Sequence, residues 1–569
     1  MDDRYRAELA YRLARSFLLS GLVVLSACLW LTAPLHAQVT PPSEQETQAP
    51  PESPEAPLPP PPKPVSIDLG WSWWNVDGNS AKFRQYATPP NSRFLRELRY
   101  ISPFWRTGDN LRLQLWSPAE DDYRLEGNLS FAFGATRVET WATRNRFITP
   151  VPDLLPISER SVTESFIKQS LTPDFAVFVR YRQDGQNHYV ESPRTPLLQN
   201  TRYWDAVAEG RLGNGQLSIG YTDWRYFDRT NTFPDTGMER WHARYLWEVN
   251  PTLAIEGGFA QMQLRQQNRP NSQMDTLNLA GDITLSSATE LALAFRQDKI
   301  SLPVVQNAYL RERRSTSALL IHRWNRWSLQ MGVREREAER VRADHSFVDV
   351  PRWWTVESRL WGRLSKQLRL TVRGWDERLN NPPTMLTADP RSLYWDNRRF
   401  AQVKLDGGTE VLNGYVAYTY RRWANGARAV ALNMNGVTLG GTWIPNDKVS
   451  LFAEYSSEAW TARSEVTQFP TLDNFVPNSR VSTVGLNWSI NGRATLSLSY
   501  TNFVTDNDNP LLLRDANTEG RFFTANLTYQ LPSGYEITLT VAPWSYRDEV
   551  VSLMDYDTHL VMLSLSGRF

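Results

Sequence analysis

The chain has 569 residues, 41% hydrophobic, 12% aromatic and 22% charged, with 62 Lys and Arg against 61 Asp and Glu for a net charge of +1. A mean hydropathy of −0.48 and one long apolar run exclude a bundle of membrane-spanning helices, each of which needs about 20 successive apolar residues. Near-neutral charge gives no footprint for nucleic acid, and one cysteine excludes a disulfide framework, a cysteine-based zinc site and covalent haem attachment by this chain.

Residues 1–37 read as a secretory signal. Arg4, Arg6, Arg12 and Arg15 precede an apolar run from Phe17 to Leu31, and Leu35-His36-Ala37 is an acceptable cleavage site. The run is short for a membrane anchor. A competing reading is a lipobox, Leu25-Ser26-Ala27-Cys28, which would leave Cys28 lipidated; the apolar stretch continuing through Leu29-Trp30-Leu31 favours plain cleavage. Residues 38–64 hold eleven prolines and almost no large apolar side chain, so this stretch buries no core and reads as a disordered or polyproline-II tether.

From 65 to 569 one theme repeats: segments of about ten residues alternate apolar and polar, the period of a β-strand. Val65, Ile67, Leu69, Trp71 and Trp73 fall on one face, with Ser66, Asp68, Gly70 and Ser72 on the other. Leu368, Leu370 and Val372 likewise oppose Arg369, Thr371 and Arg373. Short turns, such as Gly213-Asn214-Gly215, Asn325-Arg326, Ser365-Lys366-Gln367 and Asn491-Gly492, alternate with long polar loops at 186–202, 227–238, 299–314, 379–397, 458–479 and 504–519. That alternation is the signature of a transmembrane β-barrel, with short periplasmic turns and longer outer loops. Aromatics near the strand ends (Trp241, Trp247, Trp324, Trp327, Trp353, Trp354, Trp443 and Trp488) read as interfacial girdles. The last strand, with Val561, Leu563, Leu565, Gly567 and Phe569 in alternation, resembles the assembly signal of bacterial outer-membrane barrels. The fold class is therefore all-β, a large antiparallel transmembrane barrel in the outer membrane of a Gram-negative bacterium, with membrane lipid and the barrel-assembly machinery as its implied partners.

Segment counting gives 25 or 26 strands, and an even number is required for the last strand to end on the side where the first begins. Val138–Arg144 and Ser165–Leu171 are the weakest segments; taking both gives 26, within a range of 22–26. Strands about 4.8 Å apart and tilted near 40° put such a barrel at roughly 50 Å across its backbone, with a bore of about 30 Å. No segment of this chain is long enough to fill it, so either loops fold inward or a second protein occupies the bore. Candidates for the inward face are Arg112, Arg124, Glu126, Arg180, Arg182, Arg211, Arg244, Glu248, Arg334, Arg359, Arg363, Arg369 and Arg373. Guanidinium forks suit carboxylates, whether haem propionates or acidic protein surface. A wet lumen lined by charges paired across strands is the plainer alternative.

Two stretches resemble the MtrB/PioB family of outer-membrane barrels that ensheath multihaem cytochromes. One is the segment Trp73-Trp74-Asn75-Val76-Asp77-Gly78-Asn79-Ser80-Ala81-Lys82-Phe83-Arg84-Gln85-Tyr86; the other is the last strand from Asp555 to Phe569. The resemblance implies a periplasmic multihaem c-type cytochrome in the lumen and a trans-outer-membrane electron conduit, with haem present only through that partner and no cofactor bound by this chain. The alternative is a wide porin or polysaccharide-export channel with an Arg-rich lumen.

Catalytic chemistry is not written in the chain. Its six histidines have no ligand spacing, and Asp506-Asn507-Asp508-Asn509 lacks the Gly and distal Glu of a calcium loop. There is no Gly-x-Ser-x-Gly elbow, phosphate loop or dinucleotide fingerprint, so the reading is a non-enzyme.

Overall fold

A computed structural model describes residues 65–569 apart from 81, 84–92, 104–109, 118–124, 134, 148–157, 192–193, 229–233, 268, 302–308, 342–347, 383–393, 465–477, 507–516 and 550. The signal, Cys28 and the proline-rich segment lie outside the described residues.

Strands β1 (Val65–Gly78) to β27 (Tyr556–Arg568) form one antiparallel sheet in which sequence neighbours pair. The sheet also meets itself: β1 pairs with β27 in a register running from Ser66 opposite Arg568 to Gly78 opposite Tyr556. At the seam's lower end the Val65 and Phe569 main chains exchange hydrogen bonds of 3.2 and 2.8 Å. β16 (Val348–Asp349) is a two-residue ribbon on β15 (Trp327–Val341), which itself pairs directly with β17 (Arg352–Arg363). Setting β16 aside, 26 of the 27 described strands make a closed ring without a free edge. The segments 138–144 and 165–171 are strands within β5 (Thr136–Phe147) and β6 (Ser158–Thr172).

Alternation explains which face is which. On β12 (Ser272–Ser286), Leu277, Leu279 and Leu285 are 37%, 47% and 59% exposed, and Thr276, Asn278, Ala280 and Asp282 point the other way. Side chains so apolar and so bare need lipid to cover them. From Leu277 to Leu285 is about 27 Å along a strand, or roughly 21 Å across a membrane at a 40° tilt, close to the apolar belt of a transmembrane barrel. Trp241 and Trp247, six residues apart on the outer face of β10 (Thr236–Asn250), mark its two borders. Trp353 does not join that girdle. It lies opposite Arg336 and Leu379 on the bore side, while Trp354 faces out, because consecutive strand residues cannot share a face.

Several expected loops are strand instead. β7 (Phe175–Glu191) and β8 (Arg194–Leu212) run almost through the whole of 186–202. At 183–187 and 199–202 the sequence carries no apolar side chain, so the alternation that marks a strand is missing there. Every pair of elements in extensive contact consists of neighbouring strands or a strand and its flanking turn, so no described segment crosses the bore.

Candidate lumen-wall binding site

The bore face divides into two walls by how its charges are arranged. On the first, arginines are matched to carboxylates of the same or adjacent strands. Glu164 on β6 takes Arg180 and Arg182 of β7 at 3.0 and 3.8 Å, and Arg160 pairs with Asp184. Arg244 on β10 makes a two-pronged contact of 2.7 and 2.6 Å with Glu256 on β11 (Leu253–Gln266). Asp298 on β13 (Thr289–Ser301), its side chain only 1% exposed, is held by Arg296, by Arg313 of β14 (Tyr309–Trp324) and by the Thr276 hydroxyl at 2.8 Å. Arg323 pairs with Glu290. Most arginines of this half are matched, with Arg211 and Arg240 as exceptions on the same face.

The second wall begins at β15 and continues over β17, β18 (Leu368–Asn380), β19 (Asn397–Gly408) and β20 (Leu412–Asn425). Here Arg334, Arg359, Arg363, Arg369 and Arg373 are exposed, and no carboxylate of a described residue lies within 4.0 Å of any of them. Arg359 stands directly opposite Arg373, and Arg363 directly opposite Arg369. Like charges facing across a ladder are unfavourable by up to about 1 kcal/mol per pair. Arg373 is steadied by Gln402 at 2.8 Å and by the Phe400 ring at 5.3 Å, and Arg359 lies 5.0 Å over Trp361. Lys404 sits 4.5 Å over Tyr415. Of the acids on this wall, Glu377 takes Arg336 and, at 3.3 Å, Arg398, Asp406 stands opposite Arg369 in the β18–β19 ladder without reaching it, and Glu357 lies beside Gly332. Aromatic faces and one amide thus hold Arg359, Arg373 and Lys404 in place without neutralising them.

The remaining sequence candidates are scattered. Arg211 lies opposite Gln216 and Glu248 opposite Ala254, both near the short-turn end. Arg112, Arg124 and Glu126 fall outside the residues whose side chains are described. Val561, Leu563, Leu565 and Gly567 face outward opposite Trp73, Trp71, Leu69 and Ile67, and Phe569 packs edge-on against Tyr535 at 5.6 Å.

Sequence reading missed a second feature, a latch at the long-loop end of the seam. Gly78 ends β1 at φ +93°, where a Cβ would lie 2.3 Å from the Asp555 carbonyl. The chain then turns inward. Asn79 donates from its amide to the Leu553 carbonyl at 2.7 Å and accepts from the Lys82 N–H at 2.8 Å. Phe83, fully buried, enters a cluster with Trp74, Trp544, Tyr546 and Tyr556, and Lys82 lies 4.8 Å over the Tyr546 ring. The quoted motif at 73–86 therefore ties β1 to β26 (Glu536–Asp548) and β27, where the barrel closes. Among the described residues, no group of three or more His, Cys, Asp or Glu is placed to hold a metal ion.

A closed antiparallel ring with a bare apolar belt outside and a charged face inside defines an outer-membrane-type β-barrel of the largest class. Neither a protein-family model nor a curated protein matches the chain. Among solved structures, the siderophore receptor PirA from Acinetobacter baumannii is similar over 89% of this chain and 80% of its own, at 8% identity and TM-score 0.49. The FrpB iron transporter from Neisseria meningitidis is similar over 89% and 82%, at 9% identity and TM-score 0.49. The ferric yersiniabactin uptake receptor FyuA from Yersinia pestis covers 89% and 80%, at 13% identity and TM-score 0.45. Likeness of that degree assigns no cargo to this barrel.

Proposed function

We propose that this protein is an outer-membrane sheath whose bore houses a soluble protein, and that the guest is a periplasmic multihaem c-type cytochrome, making the pair an electron conduit. The bore carries the reading. A ring of 26 strands sets its inner walls about 30 Å apart, and no described segment of the chain crosses between them. The resemblance of residues 73–86 and of the last strand to MtrB/PioB barrels supplies the class of guest. In this role the barrel does no redox chemistry; it keeps lipid from the guest and fixes its height in the membrane. Solubilising the barrel from its native host and staining the complex for haem tests the proposal. A stoichiometric haem protein supports it, and a barrel that purifies without one overturns it.

The unneutralised arginines favour a second reading, a wide anion-selective channel. Bilayer recordings of the purified barrel separate the two. Small, stable, anion-selective steps indicate a porin, whereas very large or unstable openings indicate a sheath without its core.

A further inference from the structure

We propose that the basic wall of β15 and β17–β20 is a docking surface for the acidic face of a protein guest, which is held against that side of the bore and not on its axis. The proposal rests on reading the bore as housing for a protein. Three observations support it.

First, bare arginines are concentrated on β17 and β18, whereas many bore-facing arginines, including Arg336 and Arg398 of the same wall, meet acids. Arginines of β7, β10, β13 and β14 have acids in contact, so water alone does not require bare guanidinium groups. Second, the uncompensated groups oppose one another across the β17–β18 ladder, an arrangement that gains most when carboxylates arrive from outside. Third, the groups form a track. Arg363 and Arg369 flank the short turn at 364–367, at the mouth where β1 begins and β27 ends. Arg359 and Arg373 stand four residues further in, about 13 Å along the strand. Arg334, opposite Thr355, is roughly another 13 Å on. The arginines span β15, β17 and β18, and Lys404 on β19 adds a third strand spacing, making the track about 14 Å wide, so it covers roughly 370 Å², about half of the ~800 Å² each partner buries in an ordinary protein interface. A single small anion needs one or two of these groups; a track this long fits a surface bearing many carboxylates. Arginine suits that task, since its planar fork takes a carboxylate through two parallel hydrogen bonds.

Poly-L-glutamate of about 50 residues is the probe, as a polypeptide carrying only carboxylates. Added to the short-turn side of the full-length barrel in a planar bilayer, it should block current, and the block should weaken as salt rises from 0.1 to 1 M, since screening shortens to about 3 Å. The variant R359Q/R363Q/R369Q/R373Q should need at least tenfold more polyglutamate for half block. The control R323Q/E290Q, which removes a matched pair at the same mouth, should block like the wild type. Retained heat-modifiable migration in detergent verifies that each variant is folded. Equal block of the quadruple variant and the wild type overturns the docking surface and leaves the sheath reading standing. Stronger block by dextran sulfate than by polyglutamate also overturns it, in favour of a polysaccharide. A wild-type barrel that purifies without a haem protein, yet shows arginine-dependent polyglutamate block, removes the cytochrome and keeps the acidic-polypeptide surface.

Discussion

At the scale of single residues, the latch concentrates the most stability in the fewest side chains. Phe83 is fully buried in a cluster with Trp74, Trp544, Tyr546 and Tyr556, so Phe83→Ala should cost about 3–5 kcal/mol and lower the temperature at which the folded band converts to the unfolded one on semi-native gels. Gly78→Ala should act on the same seam for a different reason. Alanine at φ +93° is strained, and its Cβ would strike the Asp555 carbonyl, so about 1–3 kcal/mol is expected from backbone strain alone. Asn79→Ala, which loses the N–H cap and the bond to Leu553, should fall between a silent change and these two, near 1 kcal/mol. A latch variant as heat-resistant as the wild type would deny the seam this role. The motif itself was legible in the sequence, but its task was not: Tyr546 and Tyr556 lie more than 460 residues along the chain from Phe83, and nothing local points to them.

At the scale of strands, alternation made the faces readable wherever one side meets lipid. Leu279 and Ala280 are neighbours on β12, one outside and one inside. Leu279→Arg should cost about 2–4 kcal/mol and cut the yield of inserted barrel, because a guanidinium in mid-bilayer has no water. Ala280→Arg, placed opposite Glu256, should insert normally. Equal yields would mean the faces are assigned wrongly. The same physics explains what was not legible: at 183–187 of β7 and 199–202 of β8 every residue is polar or Gly, period two disappears, and strand reads as loop. The adjacent tryptophans at 353 and 354 were grouped by sequence closeness, which in a strand means opposite sides. By contrast, the opposed arginines were within reach. A hairpin centred on Lys366 sets residues three and seven places to either side against each other, which pairs 363 with 369 and 359 with 373. What needed three dimensions was the neighbourhood from β15 and β19, where Thr355 of β17 meets Arg334 and Asp406 stands opposite Arg369.

At the scale of the whole molecule, the bore makes the strongest demand on experiment. Neutral polymers of about 20 Å diameter should enter the isolated barrel and depress its conductance, since 26 strands set its walls roughly 30 Å apart and no described segment crosses between them. Exclusion beginning near 10 Å would place polypeptide inside and remove the room for a guest.

Closure has a kinetic corollary. The bond between Asn79 and Leu553 joins residues 474 positions apart, a contact whose loop-closure cost is met only after nearly everything else is in place. Until β27 has been delivered, β1 is a naked sheet margin beside an unfilled pocket for Phe83, open to any other extended chain in the periplasm. Biogenesis of this protein must therefore shield its first strand for the whole time the later ones are being laid down. Zipping its beginning to its end is the event that turns a vulnerable half-built sheet into a finished wall.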